Sequence, residues 1–242
     1  MIASIHQPAY LPWPGYFHKM ALSDVFIFFD TTQFEKNSFI NRNRIKTPQG
    51  AAWLSVPVNL RGHLAADILH TSIAGQEWRN KHWRAIELNY RKAPFWSCYS
   101  REIEKLYGAC YTTIGELCFE QLLLFTKLLG LSTRIVRASE LGPFASHKQE
   151  LVLDICKSVN AAVYISGALG KGYIAPETFL KEGISVYFQD YQPQRYHQLW
   201  SPEFVPNLSV VDLLFNEGPR SLTIILAGNA TKTDLSNSAV YA

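Results

Sequence analysis

The first thirty residues constrain the fold more than any other stretch. Met1–Ile5 is an apolar run interrupted by Ser4, prolines stand at positions 8, 12 and 14, and Val25–Phe29 is an unbroken apolar run that leads into Asp30. Three prolines in seven residues exclude regular helix or central strand between the runs. A helix is expected to begin near Gly15 and to carry Phe17, Met20 and Ala21. An apolar run of five without alternation marks a strand buried on both faces, as in a parallel sheet. Strand, loop, helix and strand make one βαβ unit, with a right-handed crossover expected.

The rest of the chain continues the alternation. Ala52–Val58, Thr133–Ala138, Ala162–Ser166 and Ile184–Phe188 read as strands. Trp78–Tyr90, Cys98–Leu106 and Gly115–Leu129 read as helices, the last stopped by Gly130 in a left-handed cap. Ser146–Val159 reads as a helix capped by Ser146 with Glu150, Pro176–Lys181 as a short helix, and Ser209–Phe215 as a helix in which Ser209 caps through Asp212. Gln33–Lys46 reads as a polar segment, Arg61-Gly62-His63 as a turn, and the small, polar residues 227–242 as a loosely ordered tail. The fold class that follows is α/β and Rossmann-like: a mostly parallel sheet with helices on both faces and a helical insertion at about 76–130, in a single domain over 1–226.

Composition narrows the function classes. The 242 residues hold 23 Lys+Arg against 20 Asp+Glu, 48% apolar and 18% charged residues, which excludes a disordered chain and a coiled coil. A net charge of +3 without a dense basic stripe argues against a nucleic-acid partner. Cys98, Cys110, Cys118 and Cys156 form no Cys-x-x-Cys pair, and the histidines are scattered, so no metal site is expected. Cys110, Cys118 and Cys156 sit in apolar helical stretches, where a thiol is inert. No signal peptide and no membrane span is read, since the greasiest stretch, Leu122–Leu131, is too short and carries Lys127. These features place the chain in a reducing cytoplasm. The 13% aromatic content fills a core and also suits a pocket for planar or sugar-like ligands.

In an open α/β sheet the active crevice lies outside the carboxyl ends of the strands. Four polar segments occupy such positions: His6–Tyr16, Asp30–Arg44, Ser139–His147 and Ser166–Tyr173. The first is stiffened by its prolines and presents His6, Gln7 and Tyr10, with Gly15 leaving room for a ligand at a helix start. The second gathers Asp30, Gln33, Lys36, Asn41, Arg42 and Arg44; Arg42 and Arg44 offer planar forks for phosphate or carboxylate. Trp78 and His82 share a helix face on which a sugar or base could stack. Ser166, Gly167 and Tyr173 bound a glycine-rich segment that allows close backbone approach. The competing readings are a core-packing loop, a solvated basic loop, an amphipathic helix with Trp anchors and an ordinary surface loop.

Several segments resemble the WbqC-like family. They are Ile5-His6-Gln7-Pro8-Ala9-Tyr10-Leu11-Pro12-Trp13-Pro14-Gly15-Tyr16-Phe17, Asp30-Thr31-Thr32-Gln33-Phe34-Glu35-Lys36, Asn41-Arg42-Asn43-Arg44-Ile45-Lys46, Trp53-Leu54-Ser55-Val56-Pro57-Val58, Tyr164-Ile165-Ser166-Gly167 and Leu208-Ser209-Val210-Val211-Asp212-Leu213-Leu214. The resemblance covers roughly residues 2–218. It implies a role in bacterial surface-polysaccharide (O-antigen type) biosynthesis, with a suggested transfer of glycine or another small acyl or aminoacyl group to a sugar. A looser analogy is to nucleotidylyl-transferase domains with His-x-Gly-His; here Tyr16 stands where the second histidine would be, which argues against adenylyl transfer.

The expectation is a group transferase acting on a small-molecule substrate. His6 is its general base or phosphate ligand, Asp30 orients a hydroxyl or amine, and Lys36, Arg42 and Arg44 hold donor charge. The cofactor is unknown, a nucleotide or phosphate-bearing donor fits the loops, and the oligomeric state is open. The alternative is a non-catalytic binding or assembly module of the same pathway.

Overall fold

The computed structural model describes residues 1–59, 67–200 and 202–238. The turn expected at Arg61-Gly62-His63 and the last residues of the tail lie outside them. In chain order the elements begin with β1 (Ile2–His6), α1 (Pro14–Ala21) and β2 (Val25–Phe28). The hairpin β3 (Arg42–Thr47) and β4 (Gly50–Ser55) comes next, then α2 (Glu77–Tyr90), α3 (Trp96–Gly108) and α4 (Ile114–Leu129). The second half holds β5 (Arg134–Arg137), α5 (Ala138–Leu141), α6 (Lys148–Ser158), β6 (Val163–Ser166), α7 (Pro176–Leu180), β7 (Ser185–Phe188), α8 (Val210–Glu217), α9 (Ser221–Leu226) and α10 (Lys232–Ser238).

Five strands form one sheet in the order β5-β2-β1-β6-β7, every neighbouring pair parallel. Ranked by chain order this is 3-2-1-4-5, the doubly wound arrangement in which the strand sequence reverses direction between β1 and β6. The alternation of β2 shows why its sequence is apolar throughout. Phe26 and Phe28 join the core built with α1, α4 and α8, whereas Val25 and Ile27 join the core built with α6 and α7. Both faces of the sheet are therefore covered, as the run of apolar residues required.

The differences from the sequence reading are local. The polar segment Gln33–Lys46 ends in a strand, because Asn43, Ile45 and Lys46 turn inward while Arg42 and Arg44 stay half-buried. β3 pairs antiparallel with β4, apart from the parallel sheet. Ser146 does not cap α6; its hydroxyl donates to Asp154 at 2.6 Å, and the helix starts at Lys148. Ser209 does cap α8, its hydroxyl accepting from Val211 N and its carbonyl from Asp212 N, whereas the Asp212 carboxylate accepts from Tyr90 and Tyr196. The residues after Ala227 include α10, which buries Leu235 and pairs Lys232 with Asp24 at 2.5 Å. Among the described residues no helix is long and apolar enough to cross a membrane.

Candidate functional site

The switch between β1 and β6 places His6 and Ser166, the last residues of these strands, at the same edge of the sheet. The loop after His6 is held from several sides. Tyr10 N donates to the Phe39 carbonyl, Leu11 N to Gln121 Oε1 at 2.8 Å, and Asn43 Nδ2 to the Leu11 carbonyl at 2.6 Å. Leu11 adopts φ 45°. That left-handed conformation is costly for a non-glycine residue, and the bonds on both its backbone groups hold it in place.

His6 is half-buried. Its ring lies 4.5 Å from Tyr16 and 5.5 Å from Trp13, centroid to centroid. Nδ1 sits 2.9 Å from the Gln7 carbonyl, a contact that assigns the proton to Nδ1 and leaves Nε2 as acceptor. Burial, and then the nearby Lys19 ammonium, hold the His6 pKa well below its usual value, so the ring is neutral at pH 7. Gln7 Nε2 reaches Glu35 Oε1 at 3.5 Å, and Glu35 also acts electrostatically on the Tyr173 hydroxyl. Glu35 thus lies near both Gln7, the residue after His6, and Tyr173. The Ser166 hydroxyl is buried and makes no hydrogen bond of normal geometry, although the Tyr164 hydroxyl is close enough to interact.

Arg42 and Arg44 belong to a second, contiguous patch. Their guanidinium groups lie 4.5 and 5.7 Å from the centroid of the exposed Trp53 ring. Phe39, also exposed, contacts Trp53 at 5.8 Å and Trp13 at 5.3 Å. Rings therefore run without a break from His6 through Trp13 and Phe39 to Trp53. The Nε atoms of both arginines are buried and have no hydrogen-bond partner.

Other residues expected at the site serve the fold. Asp30 is 1% exposed, and its two oxygens accept from Ser139 N at 3.0 Å and Ser139 Oγ at 2.7 Å. It secures the start of α5 and has no surface for a substrate. Tyr10 and His82 are buried against each other, with Tyr10 Oη 2.7 Å from His82 Nδ1 and 3.0 Å from Tyr107 Oη. Trp78 and His82 do share a face, 5.3 Å apart, but that face turns into the core. Burial lowers the His82 pKa to about 4. Gly15 leaves no room for a ligand, because a Cβ there would lie 2.7 Å from the Tyr191 ring and 3.0 Å from Trp13 Nε1. Asn41 donates to the Val56 carbonyl and braces the hairpin. Gln33 forms a bridge with Asp67, and Lys36 is exposed.

Sequence reasoning missed Lys19. It is 2% exposed on α1, and Nζ donates to the Ile5 carbonyl at 3.0 Å. Burial brings its pKa down from 10.5 to about 7. The signal was present: Pro14–Ala21 has no polar stripe apart from His18 and Lys19, so a helix covered on every side had to bury both. Of the cysteines, Cys118 and Cys156 are buried and burial pushes their thiols up, whereas Cys110 lies exposed beyond α3 rather than in an apolar helix. Among the described residues no group of three or more His, Cys, Asp or Glu side chains is arranged to hold a metal.

The sequence profile of the WbqC-like protein family matches residues 7–224, which span the first loop, the hairpin and the ends of β2 and β6 and leave out β1 with His6. The chain belongs to the WbqC-like protein family. It is 36% identical over 217 residues to the "Uncharacterized protein Rv1507c" of Mycobacterium tuberculosis, covering 89% of this chain and 93% of that relative. No solved structure matches. Within this WbqC-like chain the matched region includes Lys19, Arg42, Arg44 and Ser166–Gly167.

Proposed function

We propose that the protein is a group transferase of bacterial surface-polysaccharide biosynthesis, moving glycine or another small acyl or aminoacyl group from an activated donor to a sugar. The observation that carries this reading is the switch point itself, where a neutral histidine and a buried lysine meet at the edge of a doubly wound sheet. His6 Nε2 accepts the proton of the attacking sugar hydroxyl or amine as its lone pair closes on the donor carbonyl carbon. The tetrahedral oxyanion then collapses and expels the donor's leaving group, which takes the proton back from His6. Trp13, Phe39 and Trp53 offer flat apolar surface to a sugar or base, and Arg42 and Arg44 hold donor charge at its far end. Asp30 is left out of this scheme, since Ser139 uses both its oxygens.

The test is incubation of the purified chain with activated acyl and aminoacyl donors and sugar acceptors, followed by mass spectrometry of the products. His6→Ala should cut turnover by about 10²–10⁴-fold with melting unchanged. Arg42→Ala should act mainly on donor affinity, by roughly ten- to a hundredfold for one charge-assisted hydrogen bond. Full activity in a folded His6→Ala protein removes the mechanism. One observation favours a second reading, a binding module: Phe39 is 40% and Trp53 47% exposed beside two arginines, a composition found at the centres of protein interfaces. Saturable partner binding, lost in Trp53→Ala and unaccompanied by turnover, would establish it.

A further inference from the structure

Lys19 is a buried cation that the fold leaves without a carboxylate. Nζ has the Ile5 carbonyl at 3.0 Å, and among the described residues no acidic side chain lies within 4.0 Å of it. The titratable side chains on the elements around it are His6 on β1, Tyr16 and His18 on its own helix, Tyr164 on β6 and Tyr187 on β7. The histidine pKa values are held down and the tyrosine values up, so none is charged at neutral pH. Asp24, beyond the far end of α1, pairs with Lys232, and Asp190, after β7, is exposed and accepts from Gln192. One neutral carbonyl does not repay burial of an ammonium, so the group either loses its proton or takes a counter-ion.

The space for a counter-ion is next to it. Gly167 follows β6 directly, is half-exposed, and has ordinary extended backbone angles, φ −72° and ψ 165°. Its conformation does not require glycine. Around the position that a Gly167 Cβ would occupy, Lys19 Nζ at 4.0 Å is the one described heavy atom within reach apart from the chain neighbours. The missing side chain therefore leaves an opening at the crevice edge, with Nζ on its wall.

We propose that Lys19 and Gly167 form an oxyanion subsite, in which a tetrahedral phosphate-like anion fills the space of the absent Gly167 side chain and pairs with Lys19 Nζ. It rests on the reading of the switch-point crevice as the substrate site, and the anion is the phosphate of a donor or the free ion. A compact ammonium suits a tetrahedral oxyanion, whereas the planar forks of Arg42 and Arg44 lie out on the hairpin. An arriving anion restores the lysine's charge, so binding takes up a proton and weakens as pH rises.

Sulfate is the probe, because its own charge is constant from pH 6 to 9. Its binding to the full chain, followed by calorimetry or amide chemical shifts, should be saturable at pH 6.5 and weaken by roughly tenfold per pH unit above about 7.5. Lys19→Met should weaken it at least about tenfold at pH 6.5. Gly167→Ala should do the same by filling the space, with melting unchanged because the backbone accepts alanine. Displacement of sulfate by uridine diphosphate but not by equal inorganic phosphate assigns the anion to a donor; displacement by both assigns it to the free ion. Absent sulfate binding, or binding unchanged in folded Lys19→Met or Gly167→Ala proteins, overturns the proposal. Sulfate binding without turnover on any donor removes the transferase reading and leaves the subsite, whereas turnover with sulfate binding unchanged in both variants does the reverse.

Discussion

Asp30 accepts from both the N–H and the O–H of Ser139, and this pair fixes where the chain turns from β5 into α5. Removing the carboxylate leaves a buried N–H and hydroxyl without an acceptor, so Asp30→Ala should cost about 3 kcal/mol. Asp30→Asn should cost less, because its oxygen still accepts from Ser139 N and its amide can donate to Ser139 Oγ. Denaturant unfolding measures both, and turnover per folded molecule should stay unchanged. A drop in turnover at unchanged stability would return Asp30 to the catalytic group. At this scale sequence and structure part for a physical reason. A carboxylate at a strand end looks the same in sequence whether it faces a substrate or the next loop, and only the position of Ser139, 109 residues away, decides. Tyr10 and His82 lie 72 residues apart and satisfy each other in the core. The place of His6 at the end of β1, by contrast, was legible, because an apolar strand leads into it and prolines follow it.

Elements whose signals are local were read well. α4 ends at Gly130 with φ 71°, and Gly130 N and Leu131 N close back on Lys127 and Thr126. A Cβ at Gly130 would meet nothing within 4 Å, so the cost of Gly130→Ala is backbone strain alone. It should be about 1 kcal/mol, and Gly130→Asn should recover part of it. At the other end Thr113 and Glu116 form a capping box, and Thr113→Ala should cost about 1 kcal/mol by the same unfolding measurement. The two losses should add, since the sites lie a helix apart. β3 was missed because its inward residues include Asn43 and Lys46, whose polarity hides the period of two. Their partners are distant: Asn43 bonds Leu11, and Lys46 Nζ bonds Gln198 and the Glu203 carbonyl. The Trp53–Arg42–Arg44 stack is invisible until β3 and β4 are set in register, with Arg44 opposite Trp53.

For the molecule as a whole, buried ionisable groups pull stability in opposite directions as the solution is acidified. His82 has its pKa lowered from 6.5 to about 4, so the unfolded chain binds the proton first. Its contribution is complete above pH 6.5 and is lost on descent towards 4, by about 3 kcal/mol at 1.36 kcal/mol per pH unit. Asp212 behaves in the opposite sense. Desolvation raises its pKa from 3.8 to about 6, while Tyr90 and Tyr196 donate to its two oxygens at 2.8 Å. Its contribution is complete below pH 3.8 and is lost as pH rises through 6, again about 3 kcal/mol. Between pH 6 and 4 the two slopes nearly cancel, leaving His6 and His18, both lowered by burial, to set the remaining fall. Asp212→Asn keeps an acceptor for one tyrosine and a donor for the other, and it removes the titration. Its unfolding free energy should therefore fall with acid more steeply than that of the parent, by up to about 3 kcal/mol over that interval. His82→Asn should flatten the same limb, since the amide still pairs with Tyr10 and binds no proton. Denaturant titrations at half-unit steps from pH 4 to 7 read both slopes. Parallel curves for the parent and Asp212→Asn would mean that Asp212 is already ionised across the range, and that the tyrosines and Lys46 outweigh its burial.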